Sequence, residues 1–479
     1  MEYYNLLRPG RIGTMELKNK AIMPGMGTNL AGADGTASDV IINYYARRAE
    51  GGVGLIITEV CAPEPEGCVI PGEIDISHRK FMSSLSRIPH AVHAGGAKVA
   101  LQLAHAGCFA SETVTGVRPK SPSGIGTFRL PDENPREMSE EEIIDLIEKY
   151  AVGVQRARQI GFDAVEIHGA HGYMPLQFLS GYTNRRTDKW GGSLENRARF
   201  AIEIVRRSKK LAGNDYPIIY RISAEEYVPN GVTLEETKKV SVWLQEAGVD
   251  AINVSAGTWD SRFEDYFKVL NGEESPEGKN LGLGVGTSVW VTPNFAPRGT
   301  LLDYAKEIKK CVSVPVIGVG GITPEMGEEL ISNKHIDFVC IGRQIIADPD
   351  YVKKLGENAS DNIKRCLRCN DCLGEVNKSC GISCAINPEA GKEYENYTTI
   401  MPAIVKKRVA VIGSGPGGIQ AALTASERGH DVTLFKKQNR LGGQLYYVSL
   451  PEFKKDYLDY YKYLLNAVNK NNINVRLNR

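Results

Sequence analysis

Five of the ten cysteines fall within the nineteen residues from Cys366 to Cys384, in RCLRCNDCLGEVNKSCGISC. Cys366, Cys369 and Cys372 stand at CxxCxxC spacing, and in a reducing compartment such a cluster reads as a metal site before a disulfide framework. Structural zinc takes two separated pairs, and no histidine lies between His335 and His430 to complete one. Three thiolates at this spacing suit one face of a [4Fe–4S] cube, with a fourth arriving from further along the chain. Cys380 and Cys384 both qualify for that place.

A second constellation is HGAHGY, which sets His168, His171 and Tyr173 within six residues. HxxH without a nearby third ligand makes a poor metal site. These are groups that donate hydrogen bonds and move protons. A third is KKRVAVIGSGPGGIQAALTASERGHDVTLF (406–435), an apolar strand, then Gly413-x-Gly415-x-x-Gly418 opening a helix, then a second strand. In that context the glycines are the dinucleotide-binding fingerprint. The acidic residue expected to grip the ribose at the second strand's end is replaced by Lys436 and Lys437.

Elements to position these groups are legible. Short apolar runs bounded by Gly or Pro recur at 19–25, 53–60, 97–104, 163–169, 217–223, 250–257, 314–321 and 336–343. Such runs, separated by helical segments, are buried parallel strands. The helices carry start signals: Ser139 with Glu142, Thr233 with Glu236, and Thr323 before Pro324. Eight strand–helix units fit a (β/α)8 TIM barrel better than an open sheet. In that fold, chemistry collects at the C-terminal strand ends. Those ends carry Gly25-Met26-Gly27, Glu59-Val60, Gln102 with His105 beyond, HGAHGY, Arg221, Gly320-Gly321 and Gly342-Arg343. Glycines and one arginine on the last two strands form a phosphate cradle. Arg221 has a plainer reading as a cation paired with Glu225 or Glu226, and Gln102 as a buried amide. His105 reads as structural or substrate-lining, and Cys61, Cys68, Cys108, Cys311 and Cys340 as small buried or loop residues.

Composition sets the outer limits. The chain has 479 residues, 42% hydrophobic and 24% charged, with a net charge of +1. Nothing in that balance favours nucleic acid or a membrane surface as a partner. MEYYNLLRPGRIG has no basic stretch leading into an apolar run, so the expected location is cytoplasmic.

The stretch HGAHGYMPLQFLSGYTNRRTDKWGGSLENRARF (168–200) resembles the active-site strand and helix of the Old Yellow Enzyme family. With the cysteine segment behind the barrel, the chain is similar to the NADH:flavin oxidoreductase branch holding 2,4-dienoyl-CoA reductase, bile-acid enoate oxidoreductases and trimethylamine dehydrogenase. The resemblance implies a barrel-bound FMN contacted by Gly25, Met26, Gly27, Val60, Gln102, Arg221, Gly320, Gly321, Gly342 and Arg343. It implies Cys384, in CAINP, as the fourth cluster ligand after Cys366, Cys369 and Cys372. The expected architecture is a barrel over 1–350, an iron–sulfur segment and linker over 351–405, and over 406–479 the first part of a Rossmann-type FAD/NAD(P) domain.

That resemblance implies reduction of the C=C bond of an unsaturated carbonyl compound: an enone, enoate or enoyl-CoA. A hydride would come from FMN N5, His168 and His171 would stabilise the enolate oxygen, and Tyr173 would deliver the proton. The cluster would pass single electrons to FMN. NADH or NADPH is the candidate reductant and a redox partner protein an alternative electron source. FAD is expected to bind weakly or not at all, because about 70 residues of a domain needing roughly twice that are present and Lys436 replaces the acid. Amine oxidation of the trimethylamine dehydrogenase type is disfavoured. Those relatives carry tyrosine where His168 stands and need a cysteine near the first strand, whereas the earliest here is Cys61. An electron-transfer subunit without its own substrate is the third reading. The stretch 258–298, with Trp259 and Trp290, is expected to lid the site.

Overall fold

A computed structural model describes residues 3–128, 130–261, 289–395, 400–471 and 473–479. Eight parallel strands close into a barrel: β1 (Ala21–Met23), β2 (Leu55–Ala62), β3 (Lys98–Leu103), β4 (Ala164–Gly169), β5 (Ile218–Ser223), β6 (Ala251–Ser255), β7 (Val316–Gly318) and β8 (Phe338–Cys340). β8 pairs back onto β1 through Val339 opposite Ala21. Each strand falls within one of the apolar runs except β2, which starts inside the run 53–60 and continues to Ala62.

The helices outside the barrel start where the capping residues set them. Ser139 opens α3 (Glu140–Gln159) and Thr233 opens α6 (Leu234–Ala247), both with complete capping boxes. The other connections carry α1 (Asp39–Glu50), α2 (Arg87–Ala94), α4 (Met174–Leu179), α5 (Leu194–Ala212), α7 (Leu302–Lys309) and α8 (Pro324–Ser332). Thr323 caps α8, and α9 (Arg343–Ala347) follows β8 directly.

Because side chains alternate along a strand, the barrel interior is built in layers two residues apart. Ile57, Ala100, Ala164, Ile219, Ala251 and Ile317 belong to an apolar interior cluster with Ile12, Met15 and Leu17 of the N-terminal hairpin. One step further along the strands, the same faces carry Gln102, Glu166, Arg221 and Asn253, all buried. The register aligns Gln102 with Glu166, and Arg221 with both His168 and Asn253. The barrel therefore turns from apolar to polar at the end where chemistry is expected. In β2 the register with β3 shifts between Ile57 and Val60. A bulge of this kind re-aims a strand end.

Behind the barrel, α10 (Asp371–Asn377) lies inside the cysteine segment. A smaller parallel sheet then follows, β9 (Arg408–Ile412), β10 (Asp431–Lys436) and β11 (Asn474–Leu477), in that spatial order. The helices α11 (Pro416–Glu427) and α12 (Lys455–Lys470) pack with it. Among the described residues no helix is long and apolar enough to cross a membrane.

Candidate functional site

A cleft of about 380 Å³ opens at the C-terminal ends of the barrel strands. All the residues expected to hold the flavin line it: Gly25, Met26, Gly27, Val60, Gln102, Arg221, Gly320, Gly321, Gly342 and Arg343. His168, His171 and Tyr173 line it too, with Trp259 and Trp290. Most of the supposed lid between those tryptophans, residues 262–288, lies outside the described residues. His105 is not among the lining residues. Its Nε2 pairs with Glu64 Oε1 at 2.8 Å, which makes it a buried structural group.

The wall fits a flat, charged ligand. A Cβ at Gly25 would lie 2.6 Å from the Gln102 amide, so only glycine lets that amide reach the floor. Gly320 and Gly321 hold φ of +125° and +70°, conformations that leave their backbone groups free to approach an anion. Arg221 is 5% exposed; its Nε has no hydrogen-bond partner, and Nη1 reaches only the Gly25 carbonyl at 3.4 Å. The suggested pairing of Arg221 with Glu225 or Glu226 does not form among the described contacts. Those carboxylates accept the backbone N–H of Leu234 and Val232. A buried guanidinium with an orphaned donor at a cleft is suited to FMN, whose reduced form is anionic.

His168 and His171 meet edge to face with ring centroids 5.0 Å apart, and Tyr173 tilts over His168 at 4.3 Å. Burial, then the Arg221 charge, pushes both histidines well below the usual imidazole range, so both are neutral at pH 7. His168 Nδ1 accepts the Ala170 N–H at 3.4 Å, which leaves its proton on Nε2. His171 Nε2 lies 2.7 Å from Ser255 Oγ, and its ring stacks on Trp290 at 4.2 Å. His171 holds φ of +58°, and its N–H donates to Ser223 Oγ at 3.0 Å. A left-handed non-glycine residue is uncommon and costs of order 1–3 kcal/mol. Tyr173 sits at the N-cap of α4, and the N–H of the following Met174 donates to the His105 carbonyl at 2.9 Å.

Cys366, Cys369, Cys372 and Cys384 line a second, smaller cavity. Cys380 is exposed and is not among the residues lining it. Among the described residues, no three His, Cys, Asp or Glu side chains gather tightly enough for a single metal ion. Four thiols around one cavity are the donor set that a [4Fe–4S] cluster requires. Burial, more than the neighbouring Cys366, pushes the Cys372 thiol up to about 12. Arg343, Ile346, Cys366 and Cys372 line both cavities, so the cleft and the cysteine pocket share a wall. Arg343 is braced in it by the Asn370 side chain and the Thr292 carbonyl, the latter at 2.8 Å.

In the smaller sheet, Gly413 holds φ of +99°, and nothing lies within 4 Å of a Cβ built at Gly413 or Gly415. A Cβ at Gly418 would strike the Gly413 carbonyl at 2.0 Å, which makes that glycine a packing requirement. Gly442 of RLGGQ donates its N–H to the Ser414 carbonyl at 2.8 Å, placing that loop over the turn.

Sequence reasoning passed over three groups. Glu166 is fully buried beneath the cleft, two residues before His168 on the same strand face. Arg298 and Arg368 line the cleft, and both bond Asp456 of α12, Arg368 through Nε at 2.7 Å. No local pattern announces pairs so far apart in sequence.

The model of the NADH:flavin oxidoreductase / NADH oxidase family matches residues 5–269 and 290–362. A model of NAD(P)-binding Rossmann-like domains matches residues 411–473. An NADH oxidase of Thermoanaerobacter brockii is 42% identical over 446 residues, 92% of this chain and 64% of the relative. A cinnamate reductase of Clostridium sporogenes is 33% identical over 478 residues, 95% of this chain and 68% of the relative. The solved complex of 2-naphthoyl-CoA reductase with 2-naphthoyl-CoA superposes with a TM-score of 0.90 at 28% identity, over 99% of this chain and 71% of that one. The chain thus spans about two thirds of the length of these relatives.

Proposed function

Since the chain belongs to the NADH:flavin oxidoreductase / NADH oxidase family, we propose that it reduces the C=C bond of an α,β-unsaturated carbonyl compound at the barrel mouth. The observation that carries this reading is the convergence of two neutral imidazoles and a phenol on one cleft backed by a buried guanidinium. FMN, when bound, would supply the two electrons as a hydride, and a [4Fe–4S] cluster would supply electrons one at a time.

The side chains supply the rest. Negative charge develops on the substrate's carbonyl oxygen as its β-carbon is reduced. His168, with its proton on Nε2, donates a hydrogen bond to that oxygen, and His171 offers the second donor, its ring steadied by Ser255 and Trp290. Neutrality matters here, because imidazoles that keep their protons stabilise the enolate without quenching it early. Tyr173 then gives its phenolic proton to the α-carbon. Arg221 binds the flavin and offsets the charge of its reduced form. Cys366, Cys369, Cys372 and Cys384 hold the cluster. The cinnamate and naphthoyl-CoA names of two relatives support a substrate with a carbonyl conjugated to unsaturated carbon.

The test is an anaerobic panel of conjugated enones, enoates and enoyl thioesters with reduced viologen as donor. Saturation of at least one double bond is expected. Oxidation of simple amines with no turnover of the panel would replace this reading. Arg221→Ala is expected to retain FMN ~10–100-fold more weakly, the 1.5–3 kcal/mol of a lost hydrogen bond to a charged group. Fluorescence titration of the released flavin measures this, and wild-type affinity would remove Arg221 from the site.

A further inference from the structure

Glu166 is a carboxylate with no part in the chemistry above, yet it lies at the centre of the layer beneath the cleft. It sits one inward position below His168 on β4, fully buried. Oε1 accepts the Gln102 amide N–H at 2.6 Å, and Oε2 accepts the Asn253 amide N–H at 2.7 Å. Bonds this short to a carboxylate are charge-assisted and fix both amides. With its nitrogen committed to Glu166, Gln102 has its carbonyl oxygen left to offer the cleft. Gly25, too small to displace that amide, completes the arrangement. Burial pushes the Glu166 carboxyl up, and Arg221, in register with His168 on one side and Asn253 on the other, opposes that rise together with the two amide hydrogen bonds and so favours the carboxylate. No carboxylate among the described residues makes a direct ion pair with Arg221, since the nearby Glu225 and Glu226 serve backbone N–H groups instead.

We propose that Glu166 is a positioning residue with two effects: it clamps Gln102 as a hydrogen-bond acceptor for the flavin, and its charge partly offsets Arg221, lowering the reduction potential of bound FMN. The sign follows from Coulomb's law. A buried anion behind a cation reduces the positive potential felt by reduced, negatively charged FMN, so reduction becomes less favourable. The inference rests on FMN occupying the cleft as proposed above.

Glu166→Gln on the FMN-loaded full chain separates charge from shape. The new amide needs an acceptor opposite Asn253, and Asn253 Oδ1 is buried with no partner, so a turn of that amide supplies it. Equilibrium with redox dyes, followed in the flavin absorbance, is expected to favour reduced FMN about tenfold more, ~30 mV for a two-electron couple. FMN affinity should be kept. Glu166→Asp keeps the charge but retracts it from Gln102, and is expected to weaken FMN binding several-fold at an unmoved potential. An unmoved or lowered potential in Glu166→Gln with stoichiometric FMN would remove the electrostatic role while leaving the FMN reading intact. If that variant does not fold, unchanged FMN affinity in Glu166→Asp overturns the proposal. Wild-type chain that binds no FMN would instead remove the underlying reading.

Discussion

Tyr173→Phe should slow turnover of a conjugated enone by roughly 10²–10⁴-fold, the loss that follows removal of a general acid. The substitution deletes one oxygen and little else. The Tyr173 ring packs with Val60 and Ala104, and the backbone beside it is held by the Met174 N–H on the His105 carbonyl, contacts that phenylalanine preserves. FMN content and the rate of FMN reduction by viologen should therefore stay at wild-type values, so that stopped-flow separates the two half-reactions. Only the half-reaction that consumes substrate should slow. If both halves run normally, water or another group provides the proton and Tyr173 is a packing residue.

Cys384→Ala should lose iron and acid-labile sulfide together, whereas Cys380→Ala should keep both near the ~4 per chain of a [4Fe–4S] cluster. The contrast is geometric. Cys384 lines the cavity it shares with Cys366, Cys369 and Cys372; burial pushes its thiol up, and the backbone N–H groups of Ile386 and Asn387 offset only part of that rise. The exposed Cys380 thiol makes only a long contact, 3.8 Å to the Lys378 carbonyl. Metal and sulfide analysis with the iron–sulfur absorbance reads the outcome. Zinc without sulfide would overturn the assignment and with it the electron route.

The elements were more legible than the contacts that hold the site. Eight apolar runs announced eight strands because a parallel barrel strand is buried on both faces, and the capping residues announced helix starts because orphaned N–H groups demand them. The same continuous burial hid Glu166. In DAVEIHG no alternation separates inward from outward positions, so nothing in the run marks the carboxylate as part of a layer with Gln102, Arg221 and Asn253. Cysteine spacing gathered three thiols, whereas the choice of Cys384 over Cys380 came from the resemblance around CAINP, because spacing alone does not reveal that Cys380 is exposed. The Arg298–Asp456 and Arg368–Asp456 pairs join segments 158 and 88 residues apart and leave no trace in local sequence.

The left-handed backbone at His171 bears on how this position can vary. Two demands meet there, a turn that returns the chain from β4 to α4 and a side chain that reaches the cleft. They do not rank the amino acids alike. Gly, Asn and Asp accept positive φ most readily, whereas Val, Ile and Thr resist it and Pro is excluded by its ring. A saturation library at position 171 should thus yield two different orders, folded yield sorted by backbone tolerance and turnover by donor capacity. Asn is the replacement on which the two orders agree. A drift from His to Asn is therefore the evolutionary path of least resistance at this position, and variation elsewhere in HGAHGY is free of that constraint except at Gly172, which shares the positive φ.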